Sequence, residues 1–219
     1  MRHRVPYSSS PLAVAVAVAA LLMWPPASEA QLPGGILPGT ILPGTTLPGT
    51  ILPGTTTVLA DTGTLAAGTS DALQASQIAG AVSSLLTGEV LHAVTISYPD
   101  EIDSEASLAA LSLNVAGTSI GADSVMARAM AVAGGVVGTS DISNLSIDGV
   151  PIAVTGDPNQ TIGIPGGVLV INEQQVSSDG TTVVNALHAI VSGVTDVVIG
   201  SATAGATGGA AQAVQATTF

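Results

Sequence analysis

From about residue 57 onward, apolar and polar positions alternate with a period of two, and Gly, Asp, Asn and Ser interrupt the alternation at short intervals. In "SLNV", Leu113 and Val115 fall on one face of the chain, whereas Ser112 and Asn114 fall on the other. Such alternation is typical of strands with one buried face. The pattern therefore predicts short antiparallel strands over most of the sequence.

Turn signals separate these strands. In "LSIDGVPIAV", Asp148-Gly149 stands between two apolar alternations, which is the strongest short-range signal for a β-hairpin. Further turns are predicted at Pro165-Gly166-Gly167, at "SSDG" before "TTVVNALHAIV", and just before "TDVVIGSA". Many short strands at this spacing favour an all-β fold, an antiparallel β-sandwich-like domain with at most one short helix.

The segment "SDALQASQIAGAVSSLLTG", residues 70–88, is the one place where a helix is predicted. Ser70 or Asp71 is suited to an N-cap, and Ile78 and Val82 are separated by one helical turn. The Gly that closes the segment would stop a helix. Its Ala and Ser content also suits an edge strand, so both interpretations stay open.

The N-terminus has the three parts of a secretory signal peptide. Arg2 and Arg4 precede an uncharged apolar run of 13 residues, Leu12 to Trp24, and "PPASEA" then ends in small residues. A spanning helix needs about 20 apolar residues, so the run is too short to remain as an anchor. We expect residues 1–30 to be cleaved after Ala30, and a chain with no transmembrane segment to be exported to the cell surface or the medium.

Residues 31–57 contain five tandem pentapeptides: LPGGI, LPGTI, LPGTT, LPGTI and LPGTT. Pro followed by Gly presets a type II turn and keeps each unit out of helices and sheet interiors. A sortase signal, L-P-x-T-G, needs Gly after the Thr and a C-terminal position, whereas here Ile or Thr follows the Thr. We interpret the repeat as a low-complexity tether, with a leader of no specific role as the alternative.

The charge balance limits the partners. Removal of residues 1–30 leaves Arg128 against 14 acidic residues, a formal charge of −13. Such a chain cannot neutralise a row of phosphates, which argues against nucleic acid and anionic membrane surfaces.

The sequence contains no Cys, so disulfides cannot stabilise it. Residues 31–219 hold no Trp, only Tyr98 and Phe219 as aromatics, so the core must be aliphatic and an aromatic-lined pocket is not expected.

Candidate catalytic groups are few. Asp61 lies in "VLADTGT", which matches the tripeptide of aspartic proteases, but those enzymes pair two carboxylates and the sequence has no second DTG or DSG. His92 and His188 lie in alternating apolar stretches, which predicts core histidines bonded to backbone. His188 can be combined on paper with Asp196 and a serine, but no G-x-S-x-G motif singles out a nucleophile. No catalytic residue is therefore predicted.

An acidic stretch, "SYPDEIDSEAS", supplies the only candidate metal ligands: Asp100, Glu101, Asp103 and Glu105. Carboxylate oxygens suit calcium, although the stretch lacks the spacing and the Gly of an EF-hand. The alternative is a solvated acidic loop that keeps a strand edge from pairing with other chains. Calcium is thus the one candidate cofactor, and otherwise none is predicted.

The series "SNLSIDGVPIAVTGDPNQTIGIPGGVLVINEQ", "VVNALHAI" and "DVVIGSATA" resembles the bacterial surface family called choice-of-anchor P. The resemblance is close over residues 143–204 and looser back to residue 58. It implies an exported domain over 58–204 of no established activity, followed by an Ala/Gly/Thr-rich tail, 205–219, that lacks the expected anchor. The family-like polar residues are predicted to form a structural hydrogen-bond network. They are Asn172, Glu173, Gln174, Asn185 and His188.

Together these observations predict an exported, non-enzymatic bacterial β domain that works at the cell surface or outside the cell. Its role would be in adhesion, matrix or envelope architecture, with an envelope or matrix partner. One alternative is a secreted hydrolase that uses Asp61 or His188. Another is an extracellular structural protein that self-assembles through an exposed edge strand. The oligomeric state is left open.

Overall fold

The computed structural model describes residues 54–219, so the predicted signal peptide and nearly all of the predicted tether lie outside the described residues. Within them every regular element is a strand, which confirms the predicted all-β fold. This part of the chain has no apolar helix of membrane-spanning length. The strands are Thr55–Ala66 (β1), Asp71–Val82 (β2), Leu86–Ser97 (β3), Glu101–Val115 (β4), Thr118–Val132 (β5), Gly135–Ser143 (β6), Ser146–Ile147 (β7), Val150–Pro151 (β8), Gln160–Ile164 (β9), Gly167–Val176 (β10), Thr182–Val191 (β11), Thr195–Gly205 (β12) and Gly208–Thr218 (β13).

The strands form two antiparallel sheets packed face to face as a β-sandwich. Sheet A has the order β1-β13-β12-β11-β10-β9. Sheet B has the order β2-β3-β4-β5, and both β6 and the short β7–β8 hairpin pair along the far side of β5. The chain starts in sheet A, builds all of sheet B and then returns to complete sheet A. Its first and last described strands therefore pair with each other.

The predicted hairpin turns are present. The two residues between β7 and β8, Asp148 and Gly149, have φ angles of 50° and 76°, as a type I′ turn requires. Pro165-Gly166 likewise forms the two-residue turn between β9 and β10. Asp and Gly tolerate the left-handed backbone region that these tight connections need. The residue types at these turns were therefore sufficient to predict the connections from the sequence.

The helix predicted over residues 70–88 is wrong, and the edge-strand alternative is confirmed. These residues form β2, the start of β3 and the turn between them. β2 pairs along its whole length with β3, from Asp71 opposite Ser97 to Val82 opposite Leu86. Helix propensity is a weak preference, and a complete ladder with a neighbouring strand satisfies the same backbone groups.

The domain is longer than the predicted 58–204. β1 begins at Thr55, within the predicted tether, and β13 occupies Gly208–Thr218, within the predicted tail. β13 lies between β1 and β12 in the interior of sheet A and buries Val214 completely. Its small residues serve close packing, because a Cβ at Gly209 would lie 2.6 Å from Ile102 Cγ2 in sheet B. The composition that suggested a tail is therefore that of a central strand.

The core between the sheets is aliphatic, as the composition requires. Leu113 and Val115, predicted to share a face, are both buried. Full burial of each such side chain stabilises the fold by about 1.5–3 kcal/mol. The largest fully buried side chains are Leu91, Ile102, Leu113, Ile120, Leu145, Leu169, Ile171, Leu187, Ile199, Val115, Val125 and Val184.

Each long strand changes the face that it buries at one position near its middle. On β12, Val197 and Ile199 are buried before Gly200, whereas Ala202 and Ala204 are buried after it. In sheet A the positions of this change are aligned from strand to strand, and in sheet B they lie close together around a register shift between β3 and β4. We call these positions the crease. In sheet A it consists of Ala60, Ala213, Gly200, Ala186 and Asn172, and in sheet B of Ile78, Val90, Ala110 and Asp123.

Left-handed residues mark the crease on β1, β10 and β12 of sheet A and on β3 and β4 of sheet B. Ala60, Gly200 and Asn172 in sheet A have φ of 50°, 64° and 51°, and Val90 and Ala110 in sheet B both have φ of 49°. A left-handed residue within a strand turns the pleat over, so the residues after it face the opposite side. Strict two-residue alternation therefore holds only on either side of the crease.

Candidate functional site

Three ionisable side chains meet on the outer face of sheet A, across β10, β11 and β12. His188 lies between two carboxylates: its Nδ1 is 2.7 Å from Glu173 Oε2 and its Nε2 is 2.8 Å from Asp196 Oδ1. The side chains of His188 and Glu173 are only 13% and 14% exposed, whereas that of Asp196 is 44% exposed. The arrangement links three neighbouring strands beside the crease.

Two amides complete the shell of Glu173. Asn185 Nδ2 donates to Glu173 Oε2 over 2.7 Å, and Gln175 Nε2 donates to Oε1 over 2.9 Å. Burial by itself raises the pKa of Glu173, but the two amide hydrogen bonds and the charge and hydrogen bond of His188 outweigh it. The pKa of Glu173 therefore lies below its ordinary value, and the carboxylate is held ionised. Glu173, Gln175, Asn185, His188 and Asp196 form what we call the His188 cluster.

Both ring nitrogens of His188 lie within hydrogen-bond distance of a carboxylate oxygen. Because both ring nitrogens contact carboxylates, neither is directed at a serine or threonine hydroxyl. A triad histidine instead bonds a carboxylate with one nitrogen and a nucleophile with the other. The His188 cluster is thus arranged to tie strands together.

Asn185 carries one unsatisfied atom. Its Oδ1 is buried without a hydrogen-bond partner, and it is the only such side-chain atom in the described part of the chain. Rotating the Asn185 amide by 180° would place its Oδ1, an acceptor, against the Glu173 carboxylate, which is also an acceptor. The hydrogen bond from Nδ2 to Glu173 therefore determines the orientation of the Asn185 amide. A buried acceptor without a partner costs about 1–3 kcal/mol. Asn185 therefore stabilises the ionised form of Glu173, while its own unpaired oxygen lowers the stability of the fold.

The remaining two residues of the predicted polar network lie apart from the His188 cluster. Asn172 Oδ1 accepts from Gln174 Nε2 over 3.0 Å, and Asn172 Nδ2 donates to the carbonyl of Gly156. Gln174 Nε2 also donates to the carbonyl of Gly138, which belongs to β6 in sheet B. The predicted network is therefore divided into an outer cluster around His188 and an inner bridge between the two sheets.

Neither histidine is a core residue bonded to backbone, and that prediction is wrong for both. His92 lies on the outer face of β3, and Gln74 Nε2 donates to its Nε2 over 3.0 Å. Its neighbours Leu91 and Ala93 point into the core instead. His188 likewise faces outward, whereas Leu187 is buried. The crease explains the error at His188, because Val184 precedes it and faces the core, whereas His188 follows it and faces outward. His92 does share a face with Val94 and Ile96, but that apolar face is the outer one.

Asp61 belongs to a β-bulge in the edge strand β1. The register with β13 shifts between Asp61 and Thr64, and Gly63 in the bulge has φ of 68°. The exposed Asp61 accepts from the amide of Gly63 over 2.9 Å, while Thr62 Oγ1 accepts from the amide of Ala211 over 3.0 Å. The DTG tripeptide thus serves as the turn of a bulge, and Asp61 lies on a different strand from the His188 cluster.

Three of the four candidate calcium ligands lie on β4, where Glu101, Asp103 and Glu105 occupy alternate positions. Arg128 of β5 binds Asp103 through both Nε and Nη2. The hydrogen bond to Asp103 and its charge, with smaller contributions from Glu105 and Glu101, raise the pKa of Arg128. Within residues 54–219 no group of three or more His, Cys, Asp and Glu side chains is arranged so that it could hold a metal ion. Calcium binding stays a prediction.

A cleft of about 470 Å³ lies at one end of the sandwich, where turns of both sheets meet. Ala and Gly dominate its lining, and the carboxylates on it are Asp100, Glu101 and Asp179. Asp179 already accepts from the amide of Thr181 over 3.0 Å, and that hydrogen bond lowers its pKa. No described histidine lies at this end, so the cleft and the His188 cluster are separate features.

Sequence reasoning missed Gln175 and considered Asp196 only as part of a triad. The signal for Gln175 was its two-residue spacing from Glu173, which places both on one face of β10. The signal for Asp196 was the turn at Gly193, which brings β12 back along β11 within reach of His188.

Comparison of the chain with protein-family models, with curated proteins and with solved structures gave no match. The resemblance to the choice-of-anchor P family stays a prediction.

Proposed function

We propose that this chain is an exported, non-enzymatic β domain that works at the bacterial cell surface or outside the cell, in adhesion, matrix or envelope architecture. The N-terminal pattern of residues 1–30 and the Pro-Gly repeat support export and a spacer ahead of the domain. The acidic charge and the resemblance to a family of surface domains favour the same environment.

The observation that carries the non-enzymatic part is the engagement of His188 on both ring nitrogens. A general base needs a free nitrogen within hydrogen-bond reach of the proton that it removes. Asp61, the other candidate of a hydrolase, is exposed in a bulge and bonded to its own loop. A polar cluster that fastens three strands of a sandwich suits a domain whose task is to present a stable surface.

Cell fractionation with N-terminal sequencing tests export. We expect the chain in the medium or on the cell surface, with Gln31 as its first residue. Recovery from the cytoplasm with Met1 or Arg2 as the first residue would contradict the proposal.

A separate assay tests the hydrolase alternative. The purified chain is incubated with peptide, ester and glycoside substrates, alongside the variants Asp61→Asn and His188→Gln. We expect no turnover by any of the three proteins. Turnover by the wild type that either substitution abolishes would replace the proposal with the hydrolase.

A further inference from the structure

Most edges of the two sheets carry a feature that blocks pairing with another chain. The bulge at Thr62-Gly63 breaks the edge strand β1, and the opposite edge of sheet A, β9, is only five residues long. On the far side of sheet B, β8 has two residues and ends in Pro151. Beside it, Gln174 of sheet A already occupies the Gly138 carbonyl of β6. These are the devices by which natural sheets avoid joining edge to edge.

β2 is the exception. It is 12 residues long, pairs only with β3, and contains neither Pro nor any residue with positive φ. In a chain with 15 acidic residues, its only charge is Asp71 at the first position. A long, regular and nearly uncharged edge is a template for a further strand.

An exposed apolar pair lies at the middle of this edge. Ile78 of β2 is 90% exposed, and Val90, opposite it on β3, is 63% exposed. Isolated exposed apolar residues are common, but these two are adjacent at the crease and border the free backbone of β2. A strand added to β2 would cover Ile78.

We propose that β2 pairs antiparallel with β2 of a second copy of this chain, so that two copies of sheet B become one continuous sheet across a two-fold axis. Charge supports a second copy as the occupant. Elsewhere the acidic surfaces of two copies repel each other, whereas this edge is almost neutral. A basic partner would find one carboxylate on β2, at its end, and an acidic surface would find no cation there.

The sequence of β2 is compatible with pairing to itself. With the two-fold axis between Gln77 and Ile78, where the buried face of β2 changes, the inward Ala75 and Leu73 lie opposite the inward Gly80 and Val82 of the other copy. Asp71 would lie opposite Ser84, beyond the end of β2, so the two Asp71 carboxylates would be roughly 43 Å apart along the strands. No like charges face each other, and this is the condition for an isologous contact.

Sizing by light scattering over a series of concentrations tests the proposal, with Ile78→Lys as the disruptive variant and Val176→Lys as its control. Val176 is 72% exposed at the end of β10, so both substitutions replace an exposed apolar residue with Lys. We expect a concentration-dependent dimer that Ile78→Lys weakens at least about tenfold and Val176→Lys leaves intact. A wild type that stays monomeric, or a dimer that both variants affect equally, overturns the proposal.

Crosslinking gives a second readout. The chain has no Cys, so a single cysteine can form a disulfide only between copies. Gln77→Cys, near the proposed axis, should oxidise to a covalent dimer, whereas Thr139→Cys, exposed on β6, should not. Equal crosslinking of both variants would contradict pairing through β2. Because neither readout depends on export, a monomeric result would leave the proposed function standing.

Discussion

His188 Nδ1 lies 2.7 Å from Glu173 Oε2, and this contact joins β11 to β10 on the outer face of sheet A. Glu173 is also paired in register with Asn185 directly beside the crease, where the strands turn over. The cluster thus fastens the sheet where two-residue alternation is interrupted. It places His188 between two carboxylates and completes the shell of Glu173 with amides, and because the pKa of Glu173 is lowered in the fold, its contribution to stability depends on pH.

Replacing Glu173 with Gln should lower the free energy of unfolding at neutral pH by about 1–3 kcal/mol, because a buried charged acceptor is lost. The folded pKa of Glu173 is below its ordinary value, so its contribution is complete above the unfolded pKa and disappears as pH falls through the folded pKa. Urea unfolding from pH 7 down to pH 2 should therefore show the wild type and Glu173→Gln converging in acid. The exposed Glu89→Gln serves as the control and should change stability little. Parallel curves for wild type and Glu173→Gln would contradict the assignment.

Asn185→Asp should reverse that pH dependence. The substitution keeps the shape of the side chain but replaces the donor to Glu173 Oε2 with a second acceptor. Two carboxylates in contact cannot both ionise without a large cost, so at neutral pH the variant should lose several kcal/mol. Unfolding measurements should show part of this loss recovered as the pH falls through the carboxylate range. A variant as stable as the wild type at pH 7 would show that Asn185 does not support the charge of Glu173.

Sequence reasoning located the strands well because the turn residues are explicit. Asp148-Gly149 and Pro165-Gly166 form two-residue turns that the flanking apolar alternation requires. An aliphatic core followed from composition alone. For β13, by contrast, small residues look like low complexity unless the facing sheet is known, and only the packing of Gly209 against Ile102 explains them.

The predicted site was less accurate because the crease has no sequence signature of its own. Ala60, Val90 and Ala110 adopt left-handed backbone although none of them is a residue type that favours it. Alternation counted through such a position places every later side chain on the wrong face. The polar residues around His188 were found by composition and resemblance, but their division into an outer cluster and an inner bridge required the register.

The crease makes a stability prediction at Val90. A β-branched residue with φ of 49° is strained by about 1–3 kcal/mol, and Val90 is 63% exposed, so its side chain contributes little burial. Val90→Gly should therefore raise the free energy of unfolding by about 1 kcal/mol despite the entropy cost of Gly. Val137→Gly on β6, also exposed but with an ordinary φ, should instead lower it by about 0.5–1 kcal/mol. Chemical denaturation of both variants makes the comparison, and destabilisation of both would show that the strain at Val90 is negligible.

Gly138 should tolerate no side chain. A Cβ there would lie 2.5 Å from Val184 Cγ2 and 3.2 Å from the amide of Gln174, which bridges the sheets. Gly138→Ala should cost about 1–3 kcal/mol through overpacking. Gly163→Ala on β9 is the matched control, since nothing lies within 4 Å of its Cβ position, and it should be neutral or slightly stabilising. Thermal unfolding of the pair distinguishes a close approach between sheets from a general intolerance of Ala in strands.

Deletion of residues 206–219 should abolish the fold rather than trim a tail. β13 pairs with β1 on one side and β12 on the other, and buries Ala213, Val214 and Ala216 against sheet B. Its loss would leave β1 without a partner strand and expose to water the apolar core of sheet B that these side chains cover. Circular dichroism and limited proteolysis should show an unfolded or protease-sensitive chain. Removal of Phe219 alone, which is 51% exposed, should preserve the fold, and a cooperatively folded truncation at residue 205 would show that β13 is dispensable.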